Sequence, residues 1–182
     1  MGHVRLGELR RTREWKAVIA LLDRGADVAE IAAATALAAD KELSSARGDP
    51  TFGNVVWLLT QLPLAAKSDR FAAELVALGF EPGSEHSLLN IVSGFSGAVE
   101  RQISGTAGRT DLGELARQAA SESLAVVVGT QLPGLFGSDR NDVRIVLAKF
   151  PTKRRFASLA RDSFPRLTHK TLDYYLSRVL AD

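Results

Sequence analysis

A stretch of 21 residues occurs twice in this chain, seventy positions apart. The copies cover 60–80 and 130–150, and each begins with the sequence TQLP. Nine of the 21 aligned positions are identical without a gap, where ordinary residue usage would give about one. The repetition predicts a duplicated structural unit, 52–80 and 122–150, whose two copies bury their apolar faces against each other.

Each copy is predicted to form a helix, a break at a proline and a second, shorter helix. In the second copy, the segments 125–128 and 143–147 are rich in β-branched residues and suit short strands equally well. The first copy has FAAELVAL at 71–78, a strongly helical composition. Because repeated units share a conformation, we predict helices in both copies, with Pro63 ending or kinking the first helix.

Helix signals cover most of the remaining chain. An apolar stripe beginning at Trp15 predicts a helix that Gly25 ends. Asp27 and Asp111 are each followed three residues later by a glutamate, and this capping-box pattern predicts two further helix starts. The tail is predicted to form two amphipathic helices, the second capped by Thr168.

The predicted fold class is all-α: a compact multi-helix bundle of about eight helices, containing the repeated helix–proline-break–helix unit. One domain, 1–182, is expected, with a seam at 104–110 between the two halves. Ten apolar residues are predicted to be largely buried: Trp15, Val56, Leu59, Leu75, Ile91, Phe95, Val127, Val146, Leu159 and Leu176.

The composition excludes several classes of protein. Without cysteine there is no disulfide framework, thiolate nucleophile or thiolate metal site. No apolar run approaches the ~18–20 residues that span a bilayer, and no secretory signal opens the chain. We therefore expect no membrane partner, no metal, no cofactor and a cytoplasmic location. Arginine outnumbers lysine 17 to 6, which is typical of a GC-rich bacterial genome.

Charge is distributed unevenly along the chain. Residues 1–24 carry six basic and three acidic side chains, 149–182 carry eight and three, and the region between carries nine and fifteen. A chain of this kind pairs its ends with its own middle or with another copy of itself. The basic tail is also the best candidate for contacts to a polyanion or a protein partner, and its residues are Lys149, Lys153, Arg154, Arg155, Arg161, Arg166 and Lys170.

Both repeat copies keep one charged pair, Asp69 and Arg70 in the first and Asp139 and Arg140 in the second. A symmetric site that uses the two arginines is one interpretation. Helix capping by the preceding serine or by the aspartate is the simpler one, and we favour it.

One segment resembles part of a DNA-binding motif. Residues 27–35 are similar to the first helix of a helix-turn-helix, but no glycine follows near Ala36 to mark the turn. The would-be reading helix offers only Lys41 as a cation for the groove. A plain amphipathic helix is therefore preferred over a DNA-reading motif.

Catalytic patterns are lacking in the sequence. The three histidines do not lie at metal-ligand spacing from other ligands, and no nucleophile elbow, phosphate loop or dinucleotide fingerprint occurs. The sequence favours a non-enzymatic bacterial protein–protein interaction or adaptor module that self-associates. The alternative is a nucleic-acid- or phosphate-binding protein that uses the basic C-terminal face, and the second alternative is an enzyme whose site the sequence does not reveal.

Overall fold

The computed structural model describes residues 12–106, 110–133 and 140–179, and in these ranges it contains eight α-helices and no strand. The helices are α1 Arg13–Asp23, α2 Val28–Ser45, α3 Pro50–Ala65, α4 Phe71–Ala77, α5 Leu88–Thr106, α6 Asp111–Gly129, α7 Arg140–Leu147 and α8 Lys153–Val179. Short 3₁₀ turns lie at 46–48 and 84–86. The all-α class is confirmed, and so is the helical prediction for 125–128 and 143–147.

The main hydrophobic core is built from α3 to α8. Its centre contains fully buried side chains from several helices, among them Leu58, Leu62, Ile91, Phe95 and Leu124. Seven of the ten predicted core residues are buried: Trp15, Leu59, Leu75, Ile91, Phe95, Val146 and Leu159. Val56 and Val127 are only half-buried, and the Leu176 side chain lies outside the described part of the protein.

A second, smaller cluster holds the N-terminal hairpin. Trp15 and Val18 of α1 and Ala38 of α2 are buried together, and Leu172 and Tyr174 of α8 pack against them. The hairpin therefore rests on the C-terminal half of α8, and this contact shapes the groove described below.

The two repeat copies share the order helix, interruption, helix, but the interruptions fall at different places. Pro63 lies inside α3, which ends only at Ala65, whereas α6 ends at Gly129, before Pro133. Of the two predicted effects of Pro63, ending the helix is therefore wrong, and a kink stays a prediction. A proline near a helix end removes only one backbone hydrogen bond, to the carbonyl of Leu59, and the helix continues for two more residues.

Identical residues of the two copies occupy different environments. Val76 of α4 is exposed, whereas its counterpart Val146 in α7 is buried. The side of α4 that faces the core carries Phe71 and Leu75, and the side of α7 that faces the core carries Val143 and Val146. The two short helices therefore present different faces to the core. Superposition of the copies as one structural unit stays a prediction.

Several expected helix ends are corrected. α8 is one helix of 27 residues with Pro165 inside it, and Thr168 donates its hydroxyl to the Phe164 carbonyl instead of capping a second helix. α6 is capped by Thr110, one residue before the expected Asp111, through a 3.1 Å hydrogen bond from the Gly113 amide. Neighbouring Thr and Asp residues are both competent caps, so spacing alone does not separate them.

Candidate interaction surface

An open apolar groove of about 540 Å³ lies between α2 and the C-terminal half of α8. Val28, Ile31 and Ala32 form much of its α2 wall, Leu172 contributes from α8, and Asp40 is the one charged residue among the described residues that line it. We call this surface the α2–α8 groove. A concavity with so few polar atoms offers little to orient a small polar molecule, and it suits an apolar surface of another protein.

The apolar wall of the groove comes from α2, which is apolar on nearly every side but is poorly covered by the other helices. From 28 to 39 the helix has only one charged residue, Glu30, and a helix of this kind is normally buried in a core. Of its described side chains only Ala38 is buried, whereas Val28 is 83% exposed and Leu37 is 64% exposed. The apolar surface of α2 is therefore available to a partner.

Local interactions at the start of α2 hold this surface in place. The Asp27 carboxylate accepts a 2.9 Å hydrogen bond from the Glu30 amide, as its capping-box pattern predicts. Arg24 donates a 2.8 Å hydrogen bond to the Glu30 carboxylate, and both side chains are more than half exposed. α2 then runs without a turn to Ser45, so the resemblance of this segment to a helix-turn-helix is not matched by the fold.

The structure divides the predicted basic face into two parts. Arg166 and Lys170 face α6, where Lys170 Nζ lies 2.7 Å from a Glu122 carboxylate oxygen and Arg166 Nη1 lies 3.7 Å from the other. Arg166 also makes two hydrogen bonds to Asp162, of 2.6 and 3.2 Å. The two Glu122 contacts join α8 to α6, so the acidic middle of the same chain neutralises this part of the tail, and Asp162 adds a pair within α8.

The hydrogen bonds between Arg166 and Asp162 change the pKa values of both groups. They lower the pKa of Asp162 below its ordinary value, and they raise the pKa of Arg166. A similar pair in α6, Glu114 with Arg117, raises the pKa of that arginine. Each of these two pairs joins residues one turn apart in a single helix, so it stabilises that helix locally.

The other part of the basic face points into solvent. Lys149, Arg154, Arg155 and Arg161 are exposed, and none of them is ion-paired with any residue that the structure describes. The side chain of Lys153 lies outside the described part. Arg154 and Arg155 occupy the first turn of α8. The positive end of the helix dipole lies at the same place, so the two arginines and the dipole together make this end of the helix positive.

Asp69 and Arg70 do not form a capping pair. Arg70 precedes α4 without a side-chain cap, and its amide instead donates to the Ser68 hydroxyl at 3.1 Å. Asp69 is fully exposed and meets Arg144 of α7, whose Nη1 lies 3.8 Å from the carboxylate and 3.3 Å from the Ser68 carbonyl. The predicted cap was therefore wrong, because α4 begins at Phe71, and Arg70, not Ser68 or Asp69, occupies the N-cap position. Asp139 and the Arg140 side chain lie outside the described residues.

Polar concavities elsewhere are less distinctive. A second open pocket, of about 570 Å³, has Arg101 at its edge, and that guanidinium is held by the Gly79 carbonyl and by Glu81. His169 is paired with Asp173 at 3.2 Å on an exposed face. The described residues contain no group of three His, Asp or Glu side chains arranged to hold a metal ion.

Comparison with protein-family models, with curated proteins and with solved structures gave no match for this chain. Within the part of the chain that the structure describes, none of the helices is long and apolar enough to cross a membrane.

Sequence reasoning found the basic face but missed the groove. Its signal was the low charge of α2 around its whole circumference, which was interpreted as one amphipathic side. Val28 is instead the most exposed large apolar residue among those described.

Proposed function

We propose that this chain is a non-enzymatic helical module that binds protein partners, including copies of itself, through the α2–α8 groove. The observation that carries this proposal is the exposure of α2, a helix with the composition of a buried element. Large exposed apolar patches on proteins mark interaction sites. A bacterial, cytoplasmic setting belongs to the proposal and rests on composition alone.

The proposal is tested with a photo-crosslinking amino acid placed at one position at a time, in cells of the source organism. Position 28 lies in the groove, and position 76 is a matched control because Val76 is also an exposed valine on a helix, at 49%. We expect discrete protein adducts from position 28, either with this chain or with another protein, and none of them from position 76. The same adducts at both positions, or none at position 28, would contradict the proposal.

A second candidate function is supported by the unpaired part of the basic face. Arg154, Arg155 and Arg161 have no carboxylate partner among the described residues, and two of them lie at a helix N-terminus. Such cations make phosphate contacts, so a nucleic acid or another polyanion is the partner that this face would take.

A further inference from the structure

The hydrophobic interior of this protein is divided between two units. Trp15, Val18 and Ala38 of the α1–α2 hairpin form a cluster separate from the main core of α3 to α8. Among the described residues outside the hairpin, Leu172 and Tyr174 of α8 pack against this cluster, and α8 is the main helix that the hairpin contacts. The hairpin is therefore held to the rest of the molecule through a small apolar contact.

Ion pairs hold the two helices of the hairpin to each other. Arg24 Nη2, just after α1, lies 2.8 Å from a Glu30 carboxylate oxygen in α2. Near the other end of the hairpin, Lys41 Nζ of α2 lies 3.8 Å from a Glu14 carboxylate oxygen in α1. Because the helices are tied together at both ends, we expect them to move together.

The link between the two units leaves α3 independent of the hairpin. The Asp49 carboxylate caps α3 by accepting a 2.8 Å hydrogen bond from the Phe52 amide, and Pro50 is the first residue of the helix. Both are local signals that start a helix whatever precedes them. Gly48, just before this cap, is exposed, and a β-carbon there would meet nothing within 4 Å. α3 therefore keeps its start when the hairpin leaves.

The seat of the hairpin on α8 is fixed by the main core. Leu159 and Leu167, earlier in α8, are buried in that core. At the seat itself, the Tyr174 hydroxyl donates a 2.9 Å hydrogen bond to the Asp111 carboxylate at the start of α6. These contacts do not involve the hairpin, so they hold this part of α8 in place when the hairpin is away.

The α2–α8 groove lies across the boundary between the two units. Val28, Ile31 and Ala32 are on the hairpin wall, whereas Thr168 and Leu172 are on the core wall. We propose that the hairpin opens as a unit while α3 to α8 stay folded, and that its docking on α8 assembles the groove. The regulatory consequence rests on the proposed function: a partner that contacts both walls holds the hairpin closed, and an open hairpin offers no groove.

Opening is measurable because a detached hairpin loses its helices. Chains below about 40 residues usually need disulfides, metals or a partner to fold, and the hairpin, 13–45, is shorter than that. Its amide hydrogens then exchange with solvent through the open state, whereas those of the core wait for global unfolding. Hydrogen exchange followed by mass spectrometry should show protection in 13–45 that is lower by about tenfold or more than in the best-protected parts of α3, α5 and α6.

One substitution in each unit separates this opening from global unfolding. Ile91→Val removes one carbon from a fully buried site of the main core, so it should speed exchange in the core by about two- to tenfold and leave the hairpin unchanged. Leu172→Ala weakens the seat and should speed exchange throughout α1 and α2 by about tenfold. It should speed exchange in the core as well, since global unfolding also breaks this contact.

Leu64→Ala is the matched control for Leu172→Ala. Leu64 is a half-exposed leucine of α3 that belongs to neither hydrophobic cluster of the described residues. Its removal should leave exchange in the hairpin unchanged.

Two results would overturn the proposal. If Ile91→Val speeds exchange in the hairpin by the same factor as in the core, the hairpin opens only with the whole molecule. If the hairpin does not respond to Leu172→Ala, or only one of its helices does, the helices fray and do not open as a unit. These measurements need no partner, so they are independent of the photo-crosslinking at position 28: adducts without opening keep only the proposed function, and opening without adducts keeps only the motion of the hairpin.

Discussion

Gly113 lies where α6 meets α3, and the absence of a side chain allows the two helices to approach. A β-carbon at this position would lie 2.0 Å from Thr51 Cγ2 and 2.4 Å from Thr51 Cβ, and Thr51 is itself buried. Gly113→Ala therefore forces the helices apart, and we expect it to lower the free energy of unfolding by about 1–3 kcal/mol, the cost of overpacking. Urea denaturation measures this as a lower midpoint.

Gly53→Ala is the matched control at the residue scale. Gly53 is exposed in α3, and a β-carbon there would meet nothing within 4 Å. Alanine is the better helix former, so this change should raise the free energy of unfolding by about 0.5–1 kcal/mol. A rise in the free energy of unfolding at both glycines would show that helix propensity, and not the contact with Thr51, governs Gly113.

The role of a single residue could be predicted from sequence where it depends on one nearby backbone amide, as in a helix cap. Asp27 caps α2 as its pattern predicts, through a 2.9 Å hydrogen bond from the Glu30 amide, and Ser87 caps α5 in the same way through a 3.1 Å hydrogen bond from the Asn90 amide. Gly94 in α5 also meets a close neighbour. That neighbour is the preceding turn, where Phe80 and Ser84 would each lie 2.7 Å from a β-carbon at position 94, and only the tertiary fold identifies it.

Among the helices, the ion pair between Asp162 and Arg166, which lie one turn apart within α8, gives a dependence on pH. Hydrogen bonds from Arg166 lower the pKa of Asp162, so the stabilisation is fully present above the ordinary carboxylate pKa of about 4 and is lost as pH falls through the lowered value. Asp162→Asn should reduce stability at pH 7 by at most about 1 kcal/mol, since the pair is partly exposed. The difference in melting temperature from the unchanged protein should vanish at strongly acidic pH.

Asp173→Asn is the control for the pH dependence of Asp162→Asn. Asp173 lies on the same helix and pairs only with exposed His169 among the described residues. A constant difference between Asp162→Asn and the unchanged protein at every pH would show that Asp162 acts through packing and not through its charge.

Helices were predictable from local sequence, but the face that each one buries was not. α4 and α7 have related sequences and bury different sides, because the neighbouring helices lie in different directions. Two helices were predicted in the tail, yet α8 is one helix that continues through Pro165, and its inner side packs into the core through Leu159 and Leu167. Packing of this kind compensates for one missing backbone hydrogen bond, and no local pattern records it.

Over the whole molecule, the uneven charge of the chain has two separate outcomes. Glu122 in the middle neutralises Arg166 and Lys170 of the tail, as self-pairing predicts. Arg154 and Arg155, at the other end of the same helix, have no such partner among the described residues. Sequence alone predicted both uses of the tail without assigning residues to them, because the assignment depends on which side of α8 meets α6.

The unpaired arginines decide the second candidate function. If they contact phosphates, the protein should bind short single- and double-stranded oligonucleotides at low salt, and the affinity should fall steeply as salt rises because bound counterions are released. Arg154→Glu/Arg155→Glu should then weaken binding and reduce the steepness of the log–log salt dependence by about 1.8 for duplex DNA, since each phosphate that is no longer neutralised removes roughly 0.9.

Arg13→Glu/Lys16→Glu makes the same change in net charge on exposed α1 positions, so it should have a much smaller effect. Equal losses from the two double variants would reduce the binding to a net-charge effect, and no binding even at low salt would remove the polyanion function while leaving the groove as the surface through which this chain meets its partners.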